Sequence, residues 1–176
     1  MVRSCFAVFG INFSFLLYIN MKNRNLSNSD NWETPESLVN YLQDVFWVLF
    51  DFDPCPLNND LEKFNGLFCE WWNCNFVNPP YSRDLKEKFI LKWVEEMGKW
   101  KCCIFLLPVS TSTKIFHNYI LRYWRVYFLK KRVKFEGINT FWEIVKNKTP
   151  MHDSMIVVFD KKYKSNILWL NYGENA

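Results

Sequence analysis

A chain of 176 residues that is 49% hydrophobic and 19% aromatic can bury a core, which excludes an intrinsically disordered protein. Five glycines exclude a fully glycine-rich nucleotide loop, and a net charge of +4 is compatible with a nucleic-acid partner without requiring one. The six cysteines (Cys5, Cys55, Cys69, Cys74, Cys102 and Cys103) form no CxxC pair and His117 and His152 lie apart, so the sequence predicts no zinc site and a reduced, intracellular protein.

The opening "MVRSCFAVFGINFSFLLYIN" places Arg3 ahead of an apolar stretch from Cys5 to Ile19. It resembles a signal-peptide core but lacks a clean small-residue cleavage site. Asn12 and Ser14 make it too polar, and its length too short, for a membrane span. A polar lead-in, "KNRNLSNSDNW", follows Met21. The sequence therefore predicts an extension over residues 1–30, with Met21 as the natural start, and a compact domain over residues 31–176. A true membrane anchor is the rival; otherwise the chain is soluble.

Thr34 is the expected N-cap of a first helix, with Pro35 at its first position and Glu36 adding favourable charge. Leu38, Val39, Leu42, Val45 and Phe46 recur at helical spacing and carry it to about Phe46. "WVLFDFDP" reads as a buried strand stopped by Pro54. Residues 55–74 show no period. "NFVNPP" reads as a short strand, and Ser82 as the cap of a helix from Arg83 to about Trp100. "KCCIFLLP" is a continuous apolar run, the mark of a central strand buried on both faces. "STSTKIFHNYIL" opens on hydroxyls and becomes helical. "WRVYFLK", "RVKFEG", "DSMIVVFD" and "SNILWLNY" are strand-like, and the segment from Gly137 to Lys148 is loose. Alternating strands and helices predict an α/β fold with a mostly parallel sheet and antiparallel strands at the C-terminal end.

Ligands of open α/β sheets bind beyond the carboxyl ends of the strands. Such ends here carry Asp53-Pro54-Cys55, Asn78-Pro79-Pro80-Tyr81, and Pro108 followed by Ser110, Thr111 and Ser112. Asp-Pro by itself is also a common turn signal. In Asn-Pro-Pro-Tyr, two prolines lock φ and remove two backbone donors, so the backbone presents carbonyls only. The Asn side chain adds a carbonyl acceptor, and its amide nitrogen can be held by the scaffold. Two fixed acceptors suit a primary amine on a ring or a carbonyl, and Tyr81, read as exposed, supplies a flat stacking face. Such acceptors localise the amine lone pair and stabilise the positive charge that grows as nitrogen attacks carbon. A rigid loop with a packed tyrosine is the plain alternative.

"NPPY" resembles the catalytic motif of S-adenosylmethionine-dependent amino-methyltransferases. Together, "NWETPESL", "FDFDPCPLN", "NFVNPPYSRDLKEKFILKW", "IFLLPVSTSTKIF", "RVKFEG" and "DSMIVVF" resemble the phage-type, Dam-like DNA N6-adenine methyltransferases, from about Asn31 to Phe159. The resemblance implies a single Rossmann-like methyltransferase domain with helices on both faces of its sheet. It implies S-adenosylmethionine as methyl donor, no metal, and DNA as substrate. Asn78 and the Pro79 carbonyl would grip the amine of a flipped adenine, Pro80 would set the loop and Tyr81 would stack on the base. Thr34 and Pro35 resemble the segment beside the methionine end of the donor. Asp53, Pro54 and Cys55 correspond to the family's "DPC". Asp51, two residues earlier and so on the same face of the strand, is either a core-edge acid or a further donor contact.

"PCPLNND" departs from ordinary methyltransferases, which place a Gly-rich turn there. Only about two dozen residues separate Asp53 from Asn78, and the ribose-binding acid is left to Asp60 or Glu62. With DNA as substrate, Lys130, Lys131, Arg132 and Lys134 become candidates for phosphate contacts, and Ser110 to Thr113 for phosphate or donor contacts. A solvated basic sheet edge and ordinary helix capping are the alternatives. Competing functions are methylation of cytosine N4 or of a protein glutamine amide, and a degenerate methyltransferase fold that binds DNA without catalysis.

Overall fold

The computed structural model describes residues 32–56, 65–96, 99, 101–138, 144–150, 152–159 and 166–172. The predicted extension over 1–30 and the candidates Asp60 and Glu62 lie outside them. In chain order the elements are β1 (Trp32–Glu33), α1 (Glu36–Phe46), β2 (Cys74–Val77), α2 (Arg83–Glu96) and β3 (Cys102–Pro108). A π-helical stretch, Phe116–Ile120, then runs into α3 (Leu121–Tyr123). The remaining strands are β4 (Arg125–Leu129), β5 (Phe135–Ile138), β6 (Ile144–Lys148), β7 (Ser154–Phe159) and β8 (Asn166–Leu170).

A five-stranded sheet in the order β2-β3-β7-β4-β8 organises the molecule. β2 runs parallel to β3, and β8 parallel to β4. β7 is antiparallel to both of its neighbours, β3 and β4, so β2, β3, β4 and β8 share one direction. The α/β character and the mostly parallel sheet match the expectation. Antiparallel strands do fall in the C-terminal part of the chain, as β5, β6 and β7, but β7 is inserted between parallel strands and the last strand, β8, is parallel.

β3 shows why the sheet is central. Its side chains alternate between faces, as any strand's must. Cys103, Phe105 and Leu107 join one buried cluster with Phe89, Ile90 and Trp93 of α2 and with Phe116 and Ile120. Ile104 and Leu106 join another with Leu38 and Leu42 of α1. Helices thus cover both faces. Burying each such side chain contributes about 1.5–3 kcal/mol, which favours this two-sided packing over an open sheet.

α1 starts at Glu36 with Pro35 in the cap position and no side-chain cap bond, so Thr34 is not the N-cap. The hydroxyl of Thr34 is engaged elsewhere. Ser82 does not cap α2 either: its hydroxyl is buried without a hydrogen-bond partner, and its carbonyl accepts from Lys86 N–H at 3.0 Å. α2 is described to Glu96; Met97, Gly98 and Trp100 lie outside the described residues. Further on, Thr113 Oγ1 accepts from Phe116 N–H at 3.4 Å and opens the π-helical turn, which is the capping expected of those hydroxyls.

The expected buried strand over "WVLFDFDP" does not form. Trp47 ends α1 in the left-handed region at φ 54 and points the chain outward, leaving Trp47 93% and Leu49 81% exposed. The segment reaches the sheet at Asp51, which bonds Cys74, and at Phe52, in a parallel bridge to Asn75 beside β2. A run of apolar residues therefore signalled an edge with one wet side.

Residues from Gly137 to Lys148, expected to be loose, include strand. β5 pairs antiparallel with β6 and with β1 in a small separate sheet of order β1-β5-β6. Trp71 is buried, donates its indole N–H to Gly66 O at 2.7 Å and stacks on Trp93 at 5.9 Å. No helix among the described residues is long and apolar enough to cross a membrane.

Candidate active site

The carboxyl end of β2 and the end of the segment beside it lie at one edge of the sheet. Asp51 is tied there through two bonds to Cys74: its N–H donates to Cys74 O, and its Oδ1 accepts from Cys74 N–H, both at 2.9 Å. Beyond the Phe52 bridge, Asp53 Oδ1 accepts from Cys55 N–H at 2.7 Å and closes a turn over Pro54. Pro54 is buried. Gly66 lies so close over it that a Cβ there would collide with the Pro54 carbonyl, so this position requires glycine.

The turn borders a cleft of about 670 Å³ lined by Thr34, Asp51, Asp53, Cys55 and Asn78 among others. Five of the residues predicted for the site, from segments far apart in sequence, therefore share one cavity. Glu33 and Glu36 also line it, giving it four carboxylates, and no Lys or Arg does so among the described residues. Phe50, Phe52 and Phe76 supply its apolar wall. Phe52 is stacked on Trp72 at 5.4 Å and 19°, which steadies a flat face at the cleft. Sequence reasoning missed Glu33 altogether and read Glu36 only as a helix-start charge. Their signal was their position on either side of Thr34-Pro35.

Solvent reaches Asp53, yet protein surrounds it closely. Loss of hydration pushes its carboxyl up to about 6, against the opposing pull of the Cys55 N–H. Burial pushes the Cys55 thiol well up, and Asp53 and Cys69 add to the shift. No Lys or Arg among the described residues lines the cleft beside this carboxylate, and a cationic ligand would supply a counter-charge.

Asn78 follows β2 directly, and its Nδ2 donates to Thr34 Oγ1 at 3.0 Å. Oδ1 is therefore the acceptor end of the side chain, and it lies in buried surroundings. Pro79 is buried and Pro80 half-buried, so the chain beyond Asn78 is set in the scaffold. Tyr81 is not the exposed ring expected from the sequence. It packs edge-on against Phe135 of β5 with centroids 6.3 Å apart, and its hydroxyl is buried without a partner. That burial pushes its phenol well up. Pro35, Pro54, Pro79, Pro80 and Tyr81 do not line the cleft.

Lys130, Lys131, Arg132 and Lys134 are exposed on the turn from β4 to β5. Because β4 shares the direction of β2, this turn emerges at the same end of the sheet as Asn78, three strands away. Arg132 Nε meets Asp153 Oδ1 at 2.9 Å, with both side chains half or more exposed. Such a pair is worth about 0–1 kcal/mol and is easily exchanged for another anion. Away from the cleft, the Glu96 carboxylate, 1% exposed, is held by Lys92, Lys99 and Lys101 at 2.9, 3.2 and 2.8 Å. Among the described residues no group of three His, Cys, Asp or Glu could hold a metal.

The family model described as DNA N-6-adenine-methyltransferase (Dam) matches residues 22–175. A curated relative, the DNA N-6-adenine-methyltransferase of Haemophilus phage HP1 (strain HP1c1), is 30% identical over 151 residues, covering 80% of this chain and 84% of that protein. No solved structure matches at the same stringency.

Proposed function

The chain belongs to the DNA N-6-adenine-methyltransferase (Dam) family and is an adenine-specific DNA methyltransferase; from that premise we propose S-adenosylmethionine as its donor and a flipped adenine as its acceptor. The observation that carries this reading is the convergence of Thr34, Asp51, Asp53 and Asn78 on one acidic cleft. When bound, S-adenosylmethionine supplies an electrophilic methyl group on a sulfonium centre. Asp51, Asp53, Glu33 and Glu36 suit its two cationic groups, the sulfonium and the ammonium, and Phe52 offers a face to its adenine ring. Thr34 and Cys55 line that space in this reading, and Pro35 and Pro54 shape the backbone behind them.

Asn78 Oδ1 and the Pro79 carbonyl accept the two hydrogens of the adenine amine. They would localise its lone pair and stabilise the positive charge that develops on nitrogen as the C–N bond forms and the donor's S–C bond breaks, the neutral thioether leaving and the surplus amine proton then passing to solvent. A paired base presents that amine inside the duplex, so the base must be turned out, at a cost of a few kcal/mol in lost stacking and pairing. Tyr81 stacks on the extruded base in this reading, sharing or replacing its contact with Phe135. Exposed Lys130, Lys131, Arg132 and Lys134, at the same end of the sheet, contact phosphates. No metal takes part. Residues 31–176 form the catalytic unit, and a chain begun at Met21 is expected to keep full activity and remain soluble in the cytoplasm.

Calorimetric titration of the protein with S-adenosylmethionine tests the donor assignment. Saturable binding that Asp53→Asn weakens supports it. A folded protein that takes up no donor would refute it.

A further inference from the structure

Thr34 is restrained from both sides. β1 ends at Glu33, and its pairing with β5 sets Trp32 opposite Gly137 and Glu33 opposite Glu136. On the other side Pro35 stands at φ −60 and leads into α1, and a residue before proline is confined to extended backbone. The half-buried Thr34 side chain therefore has little freedom, and its Oγ1 meets Asn78 Nδ2 at 3.0 Å. The small sheet also reaches the far end of the Asn-Pro-Pro-Tyr stretch, where Phe135 of β5 packs on Tyr81 at 6.3 Å. Both ends of the stretch are braced by β1 and β5.

A carboxamide has two ends of nearly identical shape and opposite hydrogen-bonding character. Turning it over puts two donors where an acceptor is needed, and packing alone barely distinguishes the two poses. A hydroxyl can accept from the NH2 end or donate to the oxygen, so it tethers the amide, and the pose it holds here has Nδ2 on Thr34 Oγ1. We propose that Thr34 is a positioning residue: its hydroxyl tethers the Asn78 side chain at Nδ2 and so keeps Oδ1 placed for the reacting amine. This role is distinct from the donor contact that family resemblance implies for Thr34. It rests on the methyl-transfer reading above.

Thr34→Val keeps the side-chain shape and removes the oxygen; Thr34→Ser keeps the oxygen. Thr34→Ala repeats the loss with neither γ substituent and covers a folding failure of the Val variant. The Val and Ala variants are expected to lose about tenfold or more in kcat, the scale of a misplaced reacting group. Because Thr34 also lines the donor cleft, kcat is read at saturating S-adenosylmethionine and donor affinity is measured separately by calorimetry, so that lost donor binding is not counted as lost positioning. Thr34→Ser recovers most of kcat.

A second readout needs no turnover. The side-chain amide signals of Asn78 in an NMR spectrum, identified by their loss in Asn78→Asp, should move in Thr34→Val and return in Thr34→Ser. Unchanged amide signals in Thr34→Val overturn the proposal, as does unchanged kcat or a loss confined to donor affinity. Wild-type protein that methylates no adenine overturns the functional reading instead, and with it the catalytic meaning of the bond, while the amide signals still report whether the bond exists.

Discussion

Asp53 makes the charge logic of the cleft measurable. Its carboxyl sits at about 6, against an ordinary value of 3.8, because burial disfavours the charged form. A cationic donor beside it would offset that penalty and return the carboxyl toward its ordinary value. Linkage then sets the pH dependence: the donor prefers the ionised carboxylate, so affinity is full above about 6 and falls as pH drops through that value. With free and bound values near 6 and 4, Kd rises about tenfold between pH 7 and pH 5, and about fiftyfold by pH 4. Asp53→Asn should bind more weakly at pH 7 and show none of this rise. The same raised value has an opposite sign for folding. The folded state holds the Asp53 proton more tightly than the unfolded chain, so the ionised carboxylate costs stability above about 6, and the cost is relieved as pH falls toward 3.8. Asp53→Asn should therefore melt higher than wild type at pH 7.5 in the absence of donor. Calorimetric titrations at stepped pH and a thermal melt measure both. A wild-type Kd that is flat from pH 7 to pH 5, or a rise that persists in Asp53→Asn, would refute the reasoning.

Asn78→Ala should retain donor affinity and lose about 10²–10³ in kcat, the scale for removing one preorganised transition-state partner; single-turnover methylation against calorimetry separates the two. Glu96→Ala should cost about 3 kcal/mol in urea unfolding, the low end for breaking a buried pair, because Lys101 keeps Glu70 and the Trp71 carbonyl as partners. Burial alone would raise the Glu96 carboxyl, but the bonds from Lys101, Lys92 and Lys99 outweigh it and hold it at about 2. Its stabilisation is thus fully present above 4.5 and is lost only as pH falls through about 2, so a wild-type acid transition near pH 4 driven by this residue would contradict the assignment. Replacing Lys130, Lys131 and Lys134 with Gln should weaken binding to unrelated DNA sequences alike. The slope of log K against log salt should become shallower by about 0.9 for each contact removed, and an unchanged slope would clear them of phosphate contact.

The parts of the site that could be read in the sequence are those whose chemistry is local. Asp53-Pro54-Cys55 and Asn78-Pro79-Pro80-Tyr81 announce themselves because Pro and a polar side chain at a strand end are costly unless they serve a turn or a ligand. β3, β4, β7 and β8 were legible because each is a compact apolar run. What escaped was set by distant partners. β1 has two residues and β6 carries polar ones, so only their pairing with β5 makes them strands. Tyr81 looked like a surface aromatic because nothing near it in sequence reveals Phe135. Thr34 looked like a helix cap because Thr-Pro-Glu is ordinary helix-start chemistry; its bond to Asn78 spans a separation that no local pattern encodes. The apolar count of "WVLF" suggested two-sided burial, while the left-handed turn at Trp47 turned part of it to solvent.

The most direct test of methyl transfer from S-adenosylmethionine to adenine uses donor carrying a deuterated methyl group, mixed unmethylated DNA and the purified chain. Nucleosides are then analysed by mass spectrometry. The account predicts N6-methyladenine that carries the deuterated methyl in wild type and almost none in Asn78→Ala. Labelled N4-methylcytosine, or unlabelled DNA from protein that binds the donor, would contradict it.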